Sequence, residues 1–241
     1  MADPLSGELI VSSAPHVRGR DNIRHMMYDV AISLAPAGIA AVYFFGLRSL
    51  LILLITVASA LGAEALMQRA IGRRVTIADG SALVTAILLA YNLPPTVPLW
   101  LPFIGALIAI GLGKMVYGGL GYNPFNPVLV SRTILLAAWP MLMTRWILPF
   151  DAVATATPLA VMKMGGNLQA AKELLHVESN LSLYRQMFFG NRGGCLGETS
   201  ILAISIGGAY LMYKRVITWH IPITYLSTVA ITALLLGRDP L

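Results

Sequence analysis

The stretch LLILLITVASALGAEALM, residues 50–67, contains a single charged side chain, Glu64, in eighteen residues. An apolar run of this length as a helix is long enough to cross the hydrocarbon core of a bilayer. Because every backbone polar group must be satisfied inside that core, such a run predicts a transmembrane helix.

The composition of the whole chain agrees with this prediction. Of 241 residues, 57% are hydrophobic and 12% are charged, and the mean hydropathy is +0.73. A soluble domain carries about 25% charged residues, so this chain cannot cover a water-facing surface of its size. The formal net charge is +6, but the basic residues stand singly and in pairs, which argues against nucleic-acid binding. We therefore predict an all-α fold, a polytopic transmembrane helical bundle.

Seven apolar segments are predicted to span the membrane, and several are interrupted by proline or glycine. They cover residues 26–45, 50–67, 81–92, 98–115, 128–146, 199–213 and 217–236, with a tight turn at 47–49. The chain then divides into a leader at 1–25, a first helix bundle at 26–147, a long loop at 148–198 and further helices at 199–241.

Basic residues are distributed unequally between the two ends of these spans. With the N-terminus inside, nine lie on the inner side: Arg18, Arg20, Arg24, Arg69, Arg73, Arg74, Lys114, Lys214 and Arg215. The short outer ends hold three, which are Arg48, Arg145 and Arg238. The positive-inside rule therefore predicts a cytoplasmic N-terminus and places the 148–198 loop outside.

Four segments of the chain are similar to one known family. They are DGSALVTAILLAYNLPP (79–95), YGGLGYNPFNPVLVSR (117–132), DAVATATPLA (151–160) and GNRGGCLGETS (190–200). Their order and spacing resemble the D subunits of the Rnf electron-transport complex and, as close cousins, the B subunits of the sodium-pumping NADH:quinone reductase. The short leader favours the Rnf type. The family generally continues for several more helices, so we expect 199–241 to be the start of a longer, truncated segment.

The resemblance implies an activity and a cofactor. Family members carry FMN bound covalently through its phosphate to a threonine, which falls on Thr157 here, with Thr155 as a second candidate. The loop at 148–198 would then be an extracytoplasmic flavin-attachment loop. A second flavin, riboflavin, is also reported for the family. Without the resemblance, Thr157 suits the N-cap of a short helix, followed by Pro158 at its first position.

The resemblance also implies partners and a location. The chain would be one subunit of an ion-translocating ferredoxin:NAD+ oxidoreductase in the bacterial inner membrane, relaying electrons coupled to Na+ or H+ transport and inactive alone. Its partners would be the other Rnf subunits, including a second FMN-bearing subunit, a flavin transferase and membrane lipid.

The loop YGGLGYNPFNP, residues 117–127, predicts non-helical backbone at membrane depth. Gly118, Gly119, Gly121, Asn123 and Asn126 either line a flavin or ion site or only break the helix and let neighbours pack.

Arg132 follows this loop inside the next predicted span. It either binds a flavin phosphate or a lipid, or extends its charge to the interface.

Isolated ionisable residues are given structural roles. Asp29 and Glu64 belong either to a cation path or, as we favour, to ion pairs or solvated helix ends. Asp79 suits the N-terminus of the third span. Cys195, His176 and His220 stand alone, so we predict neither a metal site nor a catalytic residue.

Two other functions remain open at this point. Broken helices around a Gly/Asn/Pro loop are also typical of a channel or secondary transporter without flavin. A purely structural membrane scaffold is the third alternative. Covalently bound flavin would distinguish the electron-transport function from the transporter and from the scaffold.

Overall fold

The computed structural model describes residues 23–150, 172, 175 and 179–235. All of the regular elements in these residues are helices, nine of them α-helices, and the described part contains no strand. The predicted all-α class is confirmed. Thr155 and Thr157, as well as His176, lie outside the described residues.

The first two helices form an antiparallel pair. Helix α1 runs Ile23–Phe45 and α2 runs Leu47–Ala70. Both are long and apolar enough to cross a membrane. The predicted turn at 47–49 is wrong: Gly46 alone makes the turn, with φ of 73°, and α2 begins at the next residue. Glycine adopts this left-handed conformation without steric cost, so one residue suffices.

Helices α3 and α4 form the second pair, and each is shorter than the first two. A short 3-10 turn at Ile77–Asp79 leads into α3, Ser81–Tyr91, and α4 runs Trp100–Ile110. Helix α4 continues as one π-helical segment, Gly111–Met115, which the sequence did not predict. Segments of this kind are rare and are often found at functional sites.

The predicted single span at 128–146 is broken in the structure. Helix α5 ends at Ala138 after starting at Pro127, and a four-residue helix α6 runs Pro140–Met143. Trp139 between them has φ −134° and ψ 62°. The ring of Pro140 disfavours helical backbone at the residue before it, which accounts for the break.

Helix α7, Asn180–Phe189, lies inside the segment predicted as a loop. It begins at Ser179, whose side chain accepts a hydrogen bond from the Leu181 N–H, and it ends at Gly190 with φ of 115°. Helices α8, Ile201–Tyr213, and α9, His220–Leu235, match the last two predicted spans. No residue of α9 is buried in the described structure.

The core lies where α2, α3 and α4 meet, and α1 packs against α8. Small side chains dominate the first contact, including Ala60, Ala63, Ala82, Ala86 and Ala106. Small residues let helix backbones approach closely in a membrane, where packing has to replace the hydrophobic effect between helices.

The loops collect at two ends of the bundle. At the arginine end, loops 71–80 and 116–126 are joined by a 2.6 Å hydrogen bond from Arg73 Nη1 to the Gly118 carbonyl. At the cysteine end, segments 44–48, 92–99, 145–150 and 190–200 meet. There the Leu196 N–H donates to the Leu93 carbonyl at 3.1 Å and the Gly197 N–H to the Tyr91 carbonyl at 3.0 Å.

Two neighbouring glycines in α8 test the packing of α1 on α8. A Cβ at Gly207 would overlap the Ser33 carbonyl oxygen of α1, whereas a Cβ at Gly208 would meet no atom within 4 Å. We expect Gly207→Ala to destabilise the detergent-solubilised protein by about 1–3 kcal/mol through overpacking. Gly208→Ala is the matched control and should stay within about 0.5 kcal/mol of wild type. Thermal unfolding of both variants measures the difference, and equal midpoints would contradict the close α1–α8 contact.

Candidate functional site

The glycine-rich loop predicted as a functional element connects the π-helical segment to α5. Gly118, Gly119 and Gly121 have φ of 110°, 107° and 88°. L-residues with side chains rarely adopt these values, so the path of the loop depends on glycine. The glycine conformations therefore set the path of the loop, and this path determines where Asn123 and Asn126 lie.

Both asparagines make local hydrogen bonds. The Asn126 side chain accepts from the Val128 N–H at 2.9 Å, which caps α5 with Pro127 at its first position. Asn123 Nδ2 donates to the Phe125 carbonyl at 2.9 Å. These bonds support the structural interpretation of the loop, but they leave one polar atom of each amide for another partner.

A cavity of about 330 Å³ lies between this loop, α3 and the beginning of α1. Its polar groups come from Ser81, Thr85, Lys114, Asn123 and Asn126. Its apolar wall is formed by Met27, Val84, Leu88, Leu120, Pro127 and Val128. Ligand pockets begin at about this size and combine apolar walls with a few polar groups. The cavity is thus a candidate binding site for a small organic molecule.

Lys114 is the charged group of this cavity, and it is buried, with 2% of its surface exposed. Its ammonium donates to Glu64 Oε1 at 2.7 Å and to Ser81 Oγ at 2.6 Å. Glu64 is also buried, at 1% exposure. The charge count included Lys114 among the nine inner basic residues, and without it eight still stand against three.

The network around this ion pair reaches the arginine end. Ser81 Oγ donates in turn to Asp79 Oδ1 at 2.6 Å, and the Ser81 N–H donates to the same oxygen at 2.8 Å. Asp79 therefore lies at the start of α3 but one residue before the predicted position, because Gly80 is the N-cap; its carboxylate still accepts the Ser81 N–H. Gln68 Nε2 donates to Glu64 Oε1 at 3.0 Å and to Thr76 Oγ1 at 2.9 Å. The favoured ion pairing of Glu64 is confirmed as well.

A second, smaller cavity of about 170 Å³ adjoins the other side of the ion pair. It is lined by Glu64, Gln68, Arg73, Arg74 and Thr76, together with Asp79, Met115, Gly118, Gly119 and Leu120. Glu64 Oε2 is buried without a hydrogen-bond partner in the described structure. The Glu64–Lys114 pair therefore separates two polar cavities, one on the carboxylate side and one on the ammonium side.

Arg132 does not line either of these cavities. Its guanidinium reaches the cysteine end, where Nη1 donates to Asn92 Oδ1 at 2.6 Å and Nη2 lies 3.8 Å from Cys195 Sγ. The Cys195 thiol donates to the Asn92 carbonyl at 3.4 Å. The structure thus places Arg132 apart from the glycine and asparagine residues of loop 117–127, with which it was grouped as a predicted cofactor-binding residue.

Cys195 is a buried thiol in the loop at the cysteine end. The pKa of its thiol is raised to about 12, chiefly by burial and also by the nearby Glu198 carboxylate, while Arg132 acts in the opposite direction. The thiol therefore stays protonated at neutral pH, a form that is neither a nucleophile nor a metal ligand. The described residues contain no group of three or more His, Cys, Asp or Glu side chains that would hold a metal ion.

Asp29 also has partners, at the arginine end of α1. Its Oδ1 accepts from the Tyr210 hydroxyl at 2.8 Å and lies 3.5 Å from Lys214 Nζ. The favoured interpretation of Asp29 as an ion-paired helix-end residue is confirmed.

Sequence reasoning missed Lys114, Ser81 and Thr85 as site residues. One signal was available: Glu64 and Lys114 are opposite charges near the C-terminal ends of the second and fourth predicted spans, which run in the same direction, and an unpaired charge there is costly. Ser81 and Thr85 gave no such signal, because hydroxyls are common in transmembrane helices.

Removal of one member of the ion pair should be more harmful than removal of both. We expect Lys114→Met or Glu64→Gln alone to destabilise the protein by about 3–5 kcal/mol, because each leaves a buried partner uncompensated. The double variant should recover most of this loss. Thermal unfolding of the three variants in detergent measures the coupling, and additive losses in the double variant would contradict it.

Comparison with known proteins identifies the chain's relatives. The family described as NQR2, RnfD, RnfE matches residues 10–240. The chain is 45% identical over 237 residues to the D subunit of the Na(+)-translocating ferredoxin:NAD(+) oxidoreductase complex of Acetobacterium woodii, with 97% of this chain and 71% of that protein covered.

Two further relatives come from other organisms. The D subunit of the proton-translocating ferredoxin:NAD(+) oxidoreductase complex of Clostridium ljungdahlii is 39% identical, with 92% of this chain and 67% of that protein covered. The D subunit of the ion-translocating oxidoreductase complex of Methanosarcina acetivorans is 32% identical, with 96% and 69% covered. Together with the match over nearly the whole chain, these identities show that this protein belongs to the NQR2, RnfD, RnfE family.

Proposed function

We propose that this protein is the D subunit of an ion-translocating ferredoxin:NAD+ oxidoreductase complex, the Rnf complex, in the bacterial inner membrane. The observation that carries the proposal is the 45% identity to the D subunit from Acetobacterium woodii over 97% of the chain. In this role the chain relays electrons between neighbouring subunits, and the relay is coupled to Na+ or H+ movement. The chain works only within the complex, with the N-terminus in the cytoplasm.

The cofactor of this relay is FMN attached to Thr157 through its phosphate. Two features support the attachment, the segment ATATPL at 154–159 and the charge distribution that puts this loop outside. A flavin supplies the redox chemistry, and the protein supplies its position and surroundings. A separate flavin transferase makes the phosphoester bond, and the covalent tether then keeps the cofactor at one site.

Chain geometry favours the cysteine end for this attachment. The Phe150 N–H donates to the Phe44 carbonyl at 3.4 Å, so Phe150, seven residues before Thr157, lies at that end. Seven residues span at most roughly 25 Å. The cavity at the arginine end borders Met27, seventeen residues along α1 from Phe44 and thus roughly 25 Å away, so only a fully extended segment would reach it. Arg132 lies at the end that the tether reaches, and it uses two of its five N–H donors on Asn92 and Cys195.

The 330 Å³ cavity at the arginine end suits a second flavin without a phosphate, riboflavin. None of the described residues that line it is an arginine, the side chain that binds phosphate through two parallel hydrogen bonds. Thr85, Asn123, Asn126 and Lys114 offer hydrogen bonds to the polar edge of an isoalloxazine ring, and Val84 and Leu88 offer apolar contact. Gly118, Gly119 and Gly121 give the loop the backbone conformation that closes this side.

A channel or secondary transporter without flavin is the alternative. Helix breaks such as those at the π-helical segment and at Pro140, with polar cavities beside the first of them, are also found in proteins that move solutes. Covalent flavin decides between the two functions, because a pore has no need of it.

The first experiment is flavin fluorescence of the denatured protein in a gel. The protein is co-expressed with an active flavin transferase, and wild type is compared with Thr157→Ala and Thr155→Ala. We expect a fluorescent wild-type band, complete loss of fluorescence in Thr157→Ala and retention in Thr155→Ala, because only the Thr157 hydroxyl forms the ester.

Activity of the transferase is checked on a second substrate protein in the same cells. A dark wild-type band beside a fluorescent control substrate would refute the tethered flavin and favour the transporter. Loss of fluorescence in Thr155→Ala alone would move the attachment site to Thr155.

A further inference from the structure

Lys114 has a donor that the described structure does not use. A lysine ammonium carries three N–H groups, and two of them are directed at Glu64 Oε1 and Ser81 Oγ. The third has no acceptor in the described residues, although the side chain is almost completely buried. Lys114 also lines the 330 Å³ cavity, so a molecule bound there has access to this donor.

The backbone around Lys114 holds the ammonium in this place. The π-helical segment widens the end of α4 by one residue per turn, and Lys114 lies within it. A Cβ at Gly113 would come within 2.7 Å of Pro127 Cα, so the segment packs directly against the start of α5. Because both features restrict the backbone, the charge is fixed in position before any ligand arrives.

The ammonium is compensated on one side only. Glu64 Oε1 accepts from Lys114 and Gln68, whereas Glu64 Oε2 has no partner in the described residues and borders the smaller cavity. The side of Lys114 that borders the larger cavity has no carboxylate among its described lining residues. A negative charge that forms inside the larger cavity would therefore meet a buried cation at short range, where charges interact far more strongly than in water.

We propose that Lys114 binds the reduced, anionic form of the flavin ring in this cavity and discriminates it from the oxidised, neutral form. The inference rests on the proposed second flavin. A flavin ring reduced by two electrons from the electron carriers of the complex and one proton from water would keep one negative charge along its N1–C2 carbonyl edge. Lys114 donates its third N–H to that edge. Charge near N1 is a known means by which proteins tune flavins.

The Glu64 carboxylate shares the same ammonium. When Lys114 also interacts with the negative charge of the reduced ring, it stabilises the Glu64 carboxylate less. The reduced ring and the Glu64 carboxylate therefore compete for the same ammonium. Removal of the Glu64 charge should therefore strengthen the preference for the reduced ring, and removal of the Lys114 charge should abolish it. Opposite effects of two neighbouring substitutions are not expected from a merely structural role.

The test measures riboflavin binding to the intact purified complex, in the oxidised state and after anaerobic reduction with dithionite. Retained riboflavin is quantified after acid precipitation, which releases only flavin that is not covalently attached. In wild type we expect reduced riboflavin to bind at least tenfold more tightly than oxidised riboflavin. The measured quantity is the dissociation constant of oxidised riboflavin divided by that of reduced riboflavin. This ratio should fall by about tenfold in Lys114→Met and should rise in Glu64→Gln.

Three further variants control for folding and general charge. Lys114→Arg keeps the positive charge and should retain most of the wild-type ratio. The double variant Glu64→Gln/Lys114→Met carries no uncompensated charge in the network and should fold, yet should show the low ratio. Lys214→Met removes a lysine that does not line the cavity and should leave the ratio unchanged.

The outcomes separate this inference from the function on which it rests. A wild-type complex that binds no riboflavin would overturn the second flavin, and the role of Lys114 with it. Riboflavin bound with the same ratio in wild type and in the double variant would overturn the role of Lys114 alone and leave the second flavin in place.

Discussion

The buried ion pair between Glu64 and Lys114 is the constraint on which the inner architecture of this protein depends. A lone charge in the membrane interior costs at least about 2.5–3.5 kcal/mol, so each residue requires the other at close range. Their 2.7 Å contact joins α2 to the end of α4. Through Ser81 and Asp79 it also sets the start of α3, and through Gln68 and Thr76 it anchors the loop after α2. Four segments of the chain are thus positioned by one electrostatic requirement.

The departures from regular helix serve this arrangement. The π-helical segment lies where α4 has to direct Lys114 towards Glu64, and Gly113 lets that segment approach Pro127. The left-handed glycines of the following loop then turn the chain back into α5. Non-helical backbone at such depth is tolerated where protein or a cavity surrounds it, and here both polar cavities adjoin these breaks. The same irregularities that interrupt the spans therefore make room for a ligand.

The two ends of the bundle differ in chemistry. At the cysteine end, Arg132, Asn92 and Cys195 form a compact set of hydrogen bonds that fixes the 190–200 loop on α3 and α5. At the arginine end, the Glu64–Lys114 ion pair lies between two cavities. The ammonium has one unused donor, and one carboxylate oxygen has no partner among the described residues. The first set fixes a loop and suits a platform beside the proposed tether, whereas the second places a buried charge pair between two cavities, as expected of a site that takes part in binding. This contrast is the physical basis for assigning the two proposed flavins to opposite ends.

The sequence by itself determined the helical class, the approximate spans and the family, because apolar runs of bilayer length and the GGLGYNPFNP loop are local patterns. It also indicated that Glu64 and Asp29 would be ion-paired or solvated, since an isolated charge in an apolar helix is costly. Only the tertiary structure decided which partners meet. Lys114 is fifty residues from Glu64, and Arg132 is sixty-three from Cys195. The break at Trp139 and the π-helical segment depend on backbone geometry that hydrophobic periodicity does not register. Contacts between distant residues arise from how helices pack, and packing is a property of surfaces that the linear pattern of apolar residues does not specify.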